Sequence, residues 1–236
     1  MENKTLSLTE AIKFGFITTM DNIWLFLGLV FLQGLIRILR YSGILFLFAM
    51  NFIHGFRVVQ PQTITWEFLA SLISVQLILV SALLYILFSI LDYGFQAGMR
   101  AVMLELHDTG HSRFSTLFTS FPIVINYAIA QIFYSILVGL GFLLFVIPGV
   151  WAAVTYYFFD YAIVDKNVGP IESFKISSRI TKGNRYQVLA LLLLIWLAYA
   201  LAFQFYGFTL LLAIPLCYGA KVYLYRHLES QSIKRY

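Results

Sequence analysis

Apolar runs close to the length of a membrane-spanning helix make up most of this chain, and they constrain its fold more than any other feature. A helix needs about 20 residues to cross a hydrocarbon core of about 30 Å. Runs of this kind lie at 22–39, 72–91, 122–147, 150–164, 186–206 and 208–226. The chain is 61% hydrophobic and 11% charged, whereas soluble domains are about 45–50% apolar and about 25% charged. The sequence therefore predicts an all-α integral membrane protein.

Short polar stretches separate these runs and predict how the runs are grouped. We expect about six transmembrane helices, paired in three hairpins at 22–106, 122–165 and 185–227. Each hairpin follows a short segment with the pattern of an interfacial amphipathic helix. These segments lie at 7–21, 112–121 and 169–183. The pattern thus predicts a single membrane domain covering residues 1–236.

The polar segment 169–184 carries the clearest helix signals. Pro170 suits the first turn of a helix, and Gly183 suits the left-handed residue just past its end. At about 100° per residue, two opposite stripes form. The first contains Glu172, Lys175, Arg179 and Lys182, and the second contains Ser173, Ser177 and Thr181. We expect the basic stripe to face lipid headgroups and the small residues to face another helix.

The amino-terminal segment has the same spacing as this helix. Glu10, Lys13 and Asn22 stand at the same mutual offsets as Glu172, Lys175 and Asn184. Ser7 and Glu10 also predict a capping box at the start of the first helix. A weaker third copy lies at 111–122. These matches predict a threefold internal repeat.

An irregular stretch at 41–66 interrupts the first hairpin and has two interpretations. Residues 41–56 could form a full span, or they could belong to an outer-face insert that lies in the interface or dips in and returns. With the insert, all of the 16 Lys and Arg residues except Arg37, Arg40 and Arg57 fall on the face that holds both termini. The positive-inside rule makes that face cytoplasmic. We therefore prefer the insert and expect both termini in the cytoplasm.

Proline and glycine predict the irregular points of the later hairpins. Pro148 and Gly149 supply a turn between the two helices of the second hairpin, and Gly207 does so in the third. Pro215 and Gly219 are expected to kink the last helix.

Two stretches carry the most specific motifs of the chain: GFLLFVIPGVWAAV at 141–154 and FDYAIVDKNVGPIESFKISSRITKGN at 159–184. Together with the apolar run after Tyr186, they resemble a large bacterial envelope family. It comprises the membrane domain fused to some glycerophosphodiester phosphodiesterases and its stand-alone, YciC-like relatives of mostly unassigned function. The resemblance covers roughly residues 90–205 and implies a multi-pass protein of the bacterial cytoplasmic (inner) membrane. It brings no catalytic residues.

The sequence contains no recognisable set of catalytic residues. No nucleophile elbow, phosphate loop or paired-carboxylate motif occurs, so we expect no enzyme, no cofactor and no metal site. The single cysteine, Cys217, excludes an intrachain disulfide. The loop at 105–111 holds two acidic residues and two histidines, and we interpret it as a hydrated turn. Asp160 and Asp165 are interpreted as surface anchors at the end of a span.

Asp92 is the best single candidate for a functional residue. Hydropathy ends the second span at Leu91 and leaves Asp92 at the interface, which is the interpretation we prefer because it needs no paired partner. The repeat, in which Tyr93-Gly94 matches Tyr218-Gly219 of the last span, instead extends the helix to about Arg100 and buries Asp92. A buried carboxylate would need a polar partner. The sequence suggests Gln96, Asn126 or Lys221 as that partner.

These observations favour a non-enzymatic membrane protein that binds lipids or partner proteins in the bacterial envelope. The candidate contacts for anionic headgroups are Lys13, Lys175, Arg179, Lys182 and Arg185. The formal charge of +5 is assigned to lipid contact and not to nucleic acid, since the basic residues flank apolar segments. A homo-oligomer or a membrane-protein partner fits the same pattern. The alternative is a small transporter, channel or lipid-translocating protein, which the repeat and the broken helices favour.

Overall fold

The computed structural model describes residues 6–58, 75–204 and 209–233, and every regular element in these ranges is a helix. In chain order they are α1 (Leu6–Asp21), α2 (Ile23–Val58), α3 (Val75–Thr109), α4 (Thr116–Thr119), α5 (Val124–Leu144), α6 (Val146–Thr155), α7 (Phe159–Lys166), α8 (Pro170–Thr181), α9 (Arg185–Gln204) and α10 (Leu210–Ile233). A 3-10 turn at Phe121–Ile123 joins α4 to α5. The predicted all-α class is confirmed.

Five segments of the described chain are long and apolar enough to cross a membrane. They are Ile23–Gly43, Leu79–Thr109, Thr116–Leu144, Val146–Lys166 and Arg185–Gln204. The chain is thus a membrane protein by the length and composition of its helices. The sixth expected span corresponds to α10, which is not among the five and carries Lys221, Arg226 and Glu229. Six spans and the hairpin arrangement stay predictions.

The chain forms two compact units. The larger contains Met1–Phe31 and Tyr93–Tyr236, and the smaller contains Leu32–Asp92. The core of the larger unit includes Ala97 from α3, Tyr127 and Ala130 from α5, and Phe159 and Ile163 from α7. Helices α2 and α3 each contribute residues to both units.

In the smaller unit, helix α2 continues through the stretch where the sequence predicts an insert. Residues 41–58 belong to the same helix as residues 23–40, with no break at Arg40. The guanidinium groups of Arg37 and Arg40 pair with Asp92. Because both charges are paired, the helix can continue past them. The boundary predicted at residue 41 is therefore wrong. Residues 59–66 of the insert lie outside the described residues, and its outer-face position stays a prediction.

Two of the three short helices match their predicted bounds. Helix α1 ends at Asp21 as expected, but it already includes Leu6, so Ser7 lies inside the helix and is not its cap. In α8, Pro170 occupies the first turn and Gly183 has a φ of +86°. Both signals that predict the ends of this helix are confirmed.

The helix predicted at 112–121 is reduced to the four residues of α4. The Glu105 carboxylate accepts hydrogen bonds from the hydroxyls of Ser112 and Thr116. These bonds fold the preceding stretch back onto the end of α3, after a left-handed turn at Gly110 with φ +79°. Side-chain bonds of this kind compete with helix formation, which explains the shorter helix.

The break between α5 and α6 lies at Phe145 and not at Pro148 and Gly149, where the sequence predicts a turn. Phe145 is extended (φ −163°, ψ 158°), and Pro148 lies in the first turn of α6, where its missing N–H costs nothing. Gly149 instead allows α5 and α6 to pack closely, because a Cβ on Gly141 would lie 2.8 Å from the Cα of Gly149. The turn predicted at Gly207 lies outside the described residues.

Helices α1 and α10 pack closely in antiparallel directions. A Cβ on Gly219 would lie 2.7 Å from the Cα of Gly15, and the Tyr223 hydroxyl donates to Glu10 Oε2 at 2.8 Å. Helix α10 runs unbroken from Leu210 to Ile233 with Pro215 inside it. Gly219 therefore allows two helices to approach each other closely, and the kink expected at Pro215 and Gly219 stays a prediction.

Candidate functional site

The small-residue stripe of α8 is buried, as the sequence predicts. The Ser177 and Thr181 hydroxyls both donate to the carbonyl oxygen of Thr155, at 3.1 and 3.0 Å. The backbone N–H of Phe158 donates to Ser177 Oγ at 3.1 Å. These bonds satisfy backbone groups at the end of α6 and fix the rotation of α8 about its axis. The opposite, basic stripe of α8 consequently faces outward, with Lys175 and Arg179 exposed.

A groove of about 800 Å³ lies between this stripe and helix α5. Its lining residues are Phe133, Ile136, Leu137 and Leu140 from α5, Ile171, Phe174, Lys175, Ser178 and Arg179 from α8, together with Tyr156 and Lys182. The groove thus combines one apolar wall with one cationic edge. The lining contains three cationic side chains and no carboxylate among the described residues.

Aromatic packing makes the floor of the groove rigid. The Phe174 ring stacks on Phe159 at 5.2 Å and meets Tyr156 edge-on at 5.4 Å, measured between ring centroids. Phe159 is itself buried in the core. In contrast, Phe133, Ile136 and Leu140 on the α5 wall are each about half exposed. The groove therefore has a fixed floor and an open apolar side.

Of the five residues predicted to contact lipid headgroups, two lie outside the groove. Lys13 is exposed on α1. The Arg185 guanidinium lies 5.1 Å from the ring centroid of Trp151, so it makes a cation–π contact. The structure brings Lys175, Arg179 and Lys182 together and leaves these two apart.

Asp92 is buried in the smaller unit, with 2% of its surface exposed. Its carboxylate accepts hydrogen bonds from Gln33 Nε2 at 3.5 Å, Arg37 Nε at 3.3 Å and Arg40 Nη1 at 3.2 Å. Residues at these spacings share one face of a helix, so α2 directs all three donors to the same acid. The sequence suggested other partners, and it carried no local signal for these three donors, because they stand 52 to 59 residues away from Asp92 along the chain.

Two of the partners that the sequence suggested for Asp92 have other surroundings. Asn126 is exposed and lines a polar cavity of about 650 Å³, and Lys221 Nζ binds Asp160. The backbone carbonyl oxygen of Gln96 accepts a bond from Arg100 Nη1 at 2.6 Å, and pairing of the Gln96 side chain with Asp92 stays a prediction.

Asp160 lies in a buried ionic centre, which we define as Arg100, Asp160 and Lys221. Arg100 Nε and Lys221 Nζ each lie 2.8 Å from Asp160 Oδ2. Asp160 Oδ1 accepts the backbone N–H of Tyr161 at 2.9 Å. Asp160 is only 3% exposed, so its interpretation as a surface anchor is wrong. Helix α7 packs in the core between α3 and α10, which hold the two cations.

Tyrosine rings surround the ionic centre. The Arg100 guanidinium carbon lies 5.2 Å from the Tyr127 ring centroid and 5.1 Å from that of Tyr218. Lys221 Nζ lies 4.1 Å from the Tyr157 centroid. Cation–π contacts compensate part of the desolvation of a buried cation. Arg100 was not predicted as a site residue; its only signal in the sequence is its place at the end of the helix register that buries Asp92.

A second ionic network joins the ends of α3, α7 and α10. Arg226 contacts the carboxylates of Asp108, Asp165 and Glu229, and Lys166 also binds Glu229. The loop at 105–111 is therefore tied to α10 through Asp108 and is not simply hydrated. No cluster of three or more metal-binding side chains occurs within 6–58, 75–204 or 209–233.

Residues 112–231 match the family described as "Domain of unknown function (DUF7847)". No curated protein and no solved structure matches the chain. The matched range includes both stretches that resemble the YciC-like proteins, and that resemblance stays a prediction because the family description assigns no activity. It also includes α8, its groove, Asp160 and Lys221. Since the match covers just over half of the chain, this protein belongs to the DUF7847 family.

Proposed function

We propose that this protein is a non-enzymatic, lipid-binding component of a bacterial cytoplasmic membrane, and that the groove between α5 and α8 binds an anionic phospholipid. The observation that carries the proposal is the pairing of an apolar wall with three cations and no carboxylate in one groove. An anionic phospholipid has the matching arrangement, since a negative headgroup joins apolar chains.

The apolar wall supports contact with acyl chains. Phe133, Ile136 and Leu140 project half-exposed from α5, a helix within the candidate span Thr116–Leu144. In a bilayer such side chains face hydrocarbon. The groove volume of about 800 Å³ lies within the range of about 300–1,000 Å³ that ligand pockets occupy.

The cationic edge supports contact with the headgroup. A Lys or Arg near an anionic surface contributes about 1 kcal/mol to binding, so the three cations together contribute about 3 kcal/mol. The positive-inside rule places this edge at the cytoplasmic leaflet, where anionic lipids present their headgroups. The buried bonds of Ser177 and Thr181 hold the edge in place, which limits the entropy lost on binding.

Native mass spectrometry of the detergent-solubilised protein with phosphatidylglycerol tests this proposal. Arg179→Gln should weaken lipid binding about fivefold, and neutralising Lys175, Arg179 and Lys182 together should weaken it about 100-fold, since 1.4 kcal/mol corresponds to a factor of ten. Phosphatidylcholine, which has no net charge, should bind similarly to all variants.

Arg113→Gln is the charge-matched control. Arg113 is exposed and does not line the groove, so its removal should leave phosphatidylglycerol binding unchanged. An equal loss with Arg113→Gln and Arg179→Gln would mean that the lipid responds to the overall basic surface, and the groove would be rejected as the binding site.

A second candidate function, transport, is favoured by the buried charges of α3. Asp92 and Arg100 both lie within the candidate span Leu79–Thr109 and are almost fully buried. Ionisable residues inside membrane segments commonly mark pathways for ions or substrates. Flux of ions or labelled lipids in reconstituted vesicles would discriminate the two functions. Flux that Asp92→Asn abolishes would establish transport, and its absence in wild-type vesicles would exclude it for the substrates used.

A further inference from the structure

A separate cavity adjoins the buried ionic centre. Its volume is about 180 Å³, and its polar lining consists of Arg100, Tyr157, Tyr199, Cys217, Tyr218 and Lys221. A single water requires only about 10–15 Å³ of such space. The cavity therefore has room for a small ion together with part of its hydration shell.

The ionic centre carries one surplus positive charge. Arg100 and Lys221 share the single carboxylate of Asp160, and both bind the same oxygen, Oδ2. The other oxygen, Oδ1, is occupied by the backbone N–H of Tyr161. No second carboxylate lines the cavity within the described chain. A surplus charge in a buried position is costly unless an opposite charge or further hydrogen bonds stabilise it.

Hydrogen-bond donors at this cavity exceed the acceptors. Lys221 Nζ donates one bond, to Asp160, although an ammonium group has three N–H donors. Arg100 uses Nε and Nη1, and its Nη2 makes no hydrogen bond to any described residue. The Tyr157 hydroxyl in the lining adds a further potential donor.

We propose that this cavity binds a small monovalent anion, such as a halide or a short carboxylate, beside Lys221 and Arg100. One negative charge would neutralise the centre, and the unused N–H groups would donate to the anion. The site is distinct from the lipid groove, since the two share no lining residue. A phospholipid with two acyl chains is too large for a cavity of about 180 Å³.

The proposal can be tested by thermal unfolding of the purified protein in detergent. Chloride or acetate would replace gluconate, a bulkier and more strongly hydrated anion, at constant ionic strength. An anion that binds only the folded state raises the unfolding midpoint in a saturable manner. We expect such a rise with chloride, acetate or both, and comparison of the two titrations identifies the preferred anion. Identical midpoints in all three salts would overturn the proposal.

Variants locate the site. Lys221→Gln removes the surplus charge and should abolish the anion-dependent rise, whereas Arg113→Gln removes an exposed charge and should retain it. If Lys221→Gln does not fold, Tyr157→Phe tests the same cavity with the ionic centre intact, because phenylalanine keeps the ring that Lys221 contacts. We expect Tyr157→Phe to weaken anion binding about tenfold, since a hydrogen bond to a charged group is lost. An unchanged anion affinity in Tyr157→Phe and in any Lys221→Gln protein that folds would exclude this cavity as the site.

Discussion

Replacing Asp160 with asparagine removes the carboxylate that two buried cations share. The substitution changes the size of the side chain little, so its main effect is electrostatic. Arg100 Nε and Lys221 Nζ, each 2.8 Å from Oδ2 in the native protein, would face a neutral amide. Removing one member of a buried ion pair costs about 3–5 kcal/mol because a buried charge is left uncompensated. Here both cations lose their partner, so we expect Asp160→Asn at the upper end of this range.

The relative stabilities of several variants test the role of charge balance more stringently than one stability value does. Lys221→Met should cost less than Asp160→Asn, because it leaves Arg100 and Asp160 as a balanced pair. The double variant Asp160→Asn with Lys221→Met should recover part of the stability lost in Asp160→Asn, because only one cation then lacks its partner. Asp21→Asn is the matched control: Asp21 is exposed, and its replacement should change the free energy of unfolding by less than about 0.5 kcal/mol.

Thermal unfolding in detergent provides the assay. For chains of this length, 1 kcal/mol shifts the midpoint by about 2–4 °C, so a loss of about 5 kcal/mol in Asp160→Asn should lower it by about 10–20 °C. If the midpoint of Asp160→Asn equals that of Asp21→Asn, the carboxylate does not stabilise the two cations and the argument is refuted. If Asp160→Asn with Lys221→Met is less stable than Asp160→Asn alone, the charge balance is not the cause of the loss.

Three further predictions follow from other contacts. Gly219→Ala should destabilise the protein by about 1–3 kcal/mol, because the added methyl group would lie 2.7 Å from the Cα of Gly15; Gly28→Ala, where a Cβ meets nothing within 4 Å, should not destabilise it in the same unfolding assay. Asp92→Asn should cost up to about 3 kcal/mol, which is less than Asp160→Asn because the Arg37 side chain is 43% exposed and water compensates part of its charge; an equal or larger loss in thermal unfolding would contradict this order. Cysteines introduced at the exposed positions 111 and 230 should react with a membrane-impermeant maleimide only after cells are permeabilised, and reaction in intact cells would reverse the predicted topology.

The amphipathic helix of the candidate lipid site could be predicted almost completely from the sequence. Pro170 and Gly183 determine where the helix begins and ends, and the helical period determines that Ser177 and Arg179 face different sides. These properties depend on residues that are close in the chain. The apolar wall of the groove could not be predicted, because it belongs to α5, and which exposed face of α5 lies beside α8 depends on how the helices pack.

For the buried charges, too, some features could be predicted from the sequence and others depend on how the helices pack. Burial of Asp92 follows from only one of the two registers that the sequence allows, the one set by the repeat, and its partners on α2 follow from neither. The sequence predicts a surface position for Asp160, because it stands near the end of an apolar run, where an acid usually reaches water. Its burial depends on α3 and α10, which supply Arg100 and Lys221 from about 60 residues away along the chain in either direction.

The sequence by itself determined that the chain is helical and apolar enough for a membrane, and it determined the limits of α1 at its carboxyl end and of α8 at both ends. Only the tertiary structure decided the turn at Phe145, the contact between Gly15 and Gly219, and the pairing of the buried charges. The physical reason is the separation along the chain of the residues that interact. Periodicity and helix termini are set by interactions within a few residues, whereas a buried charge can pair with any of several opposite charges, and the choice depends on which helices become neighbours.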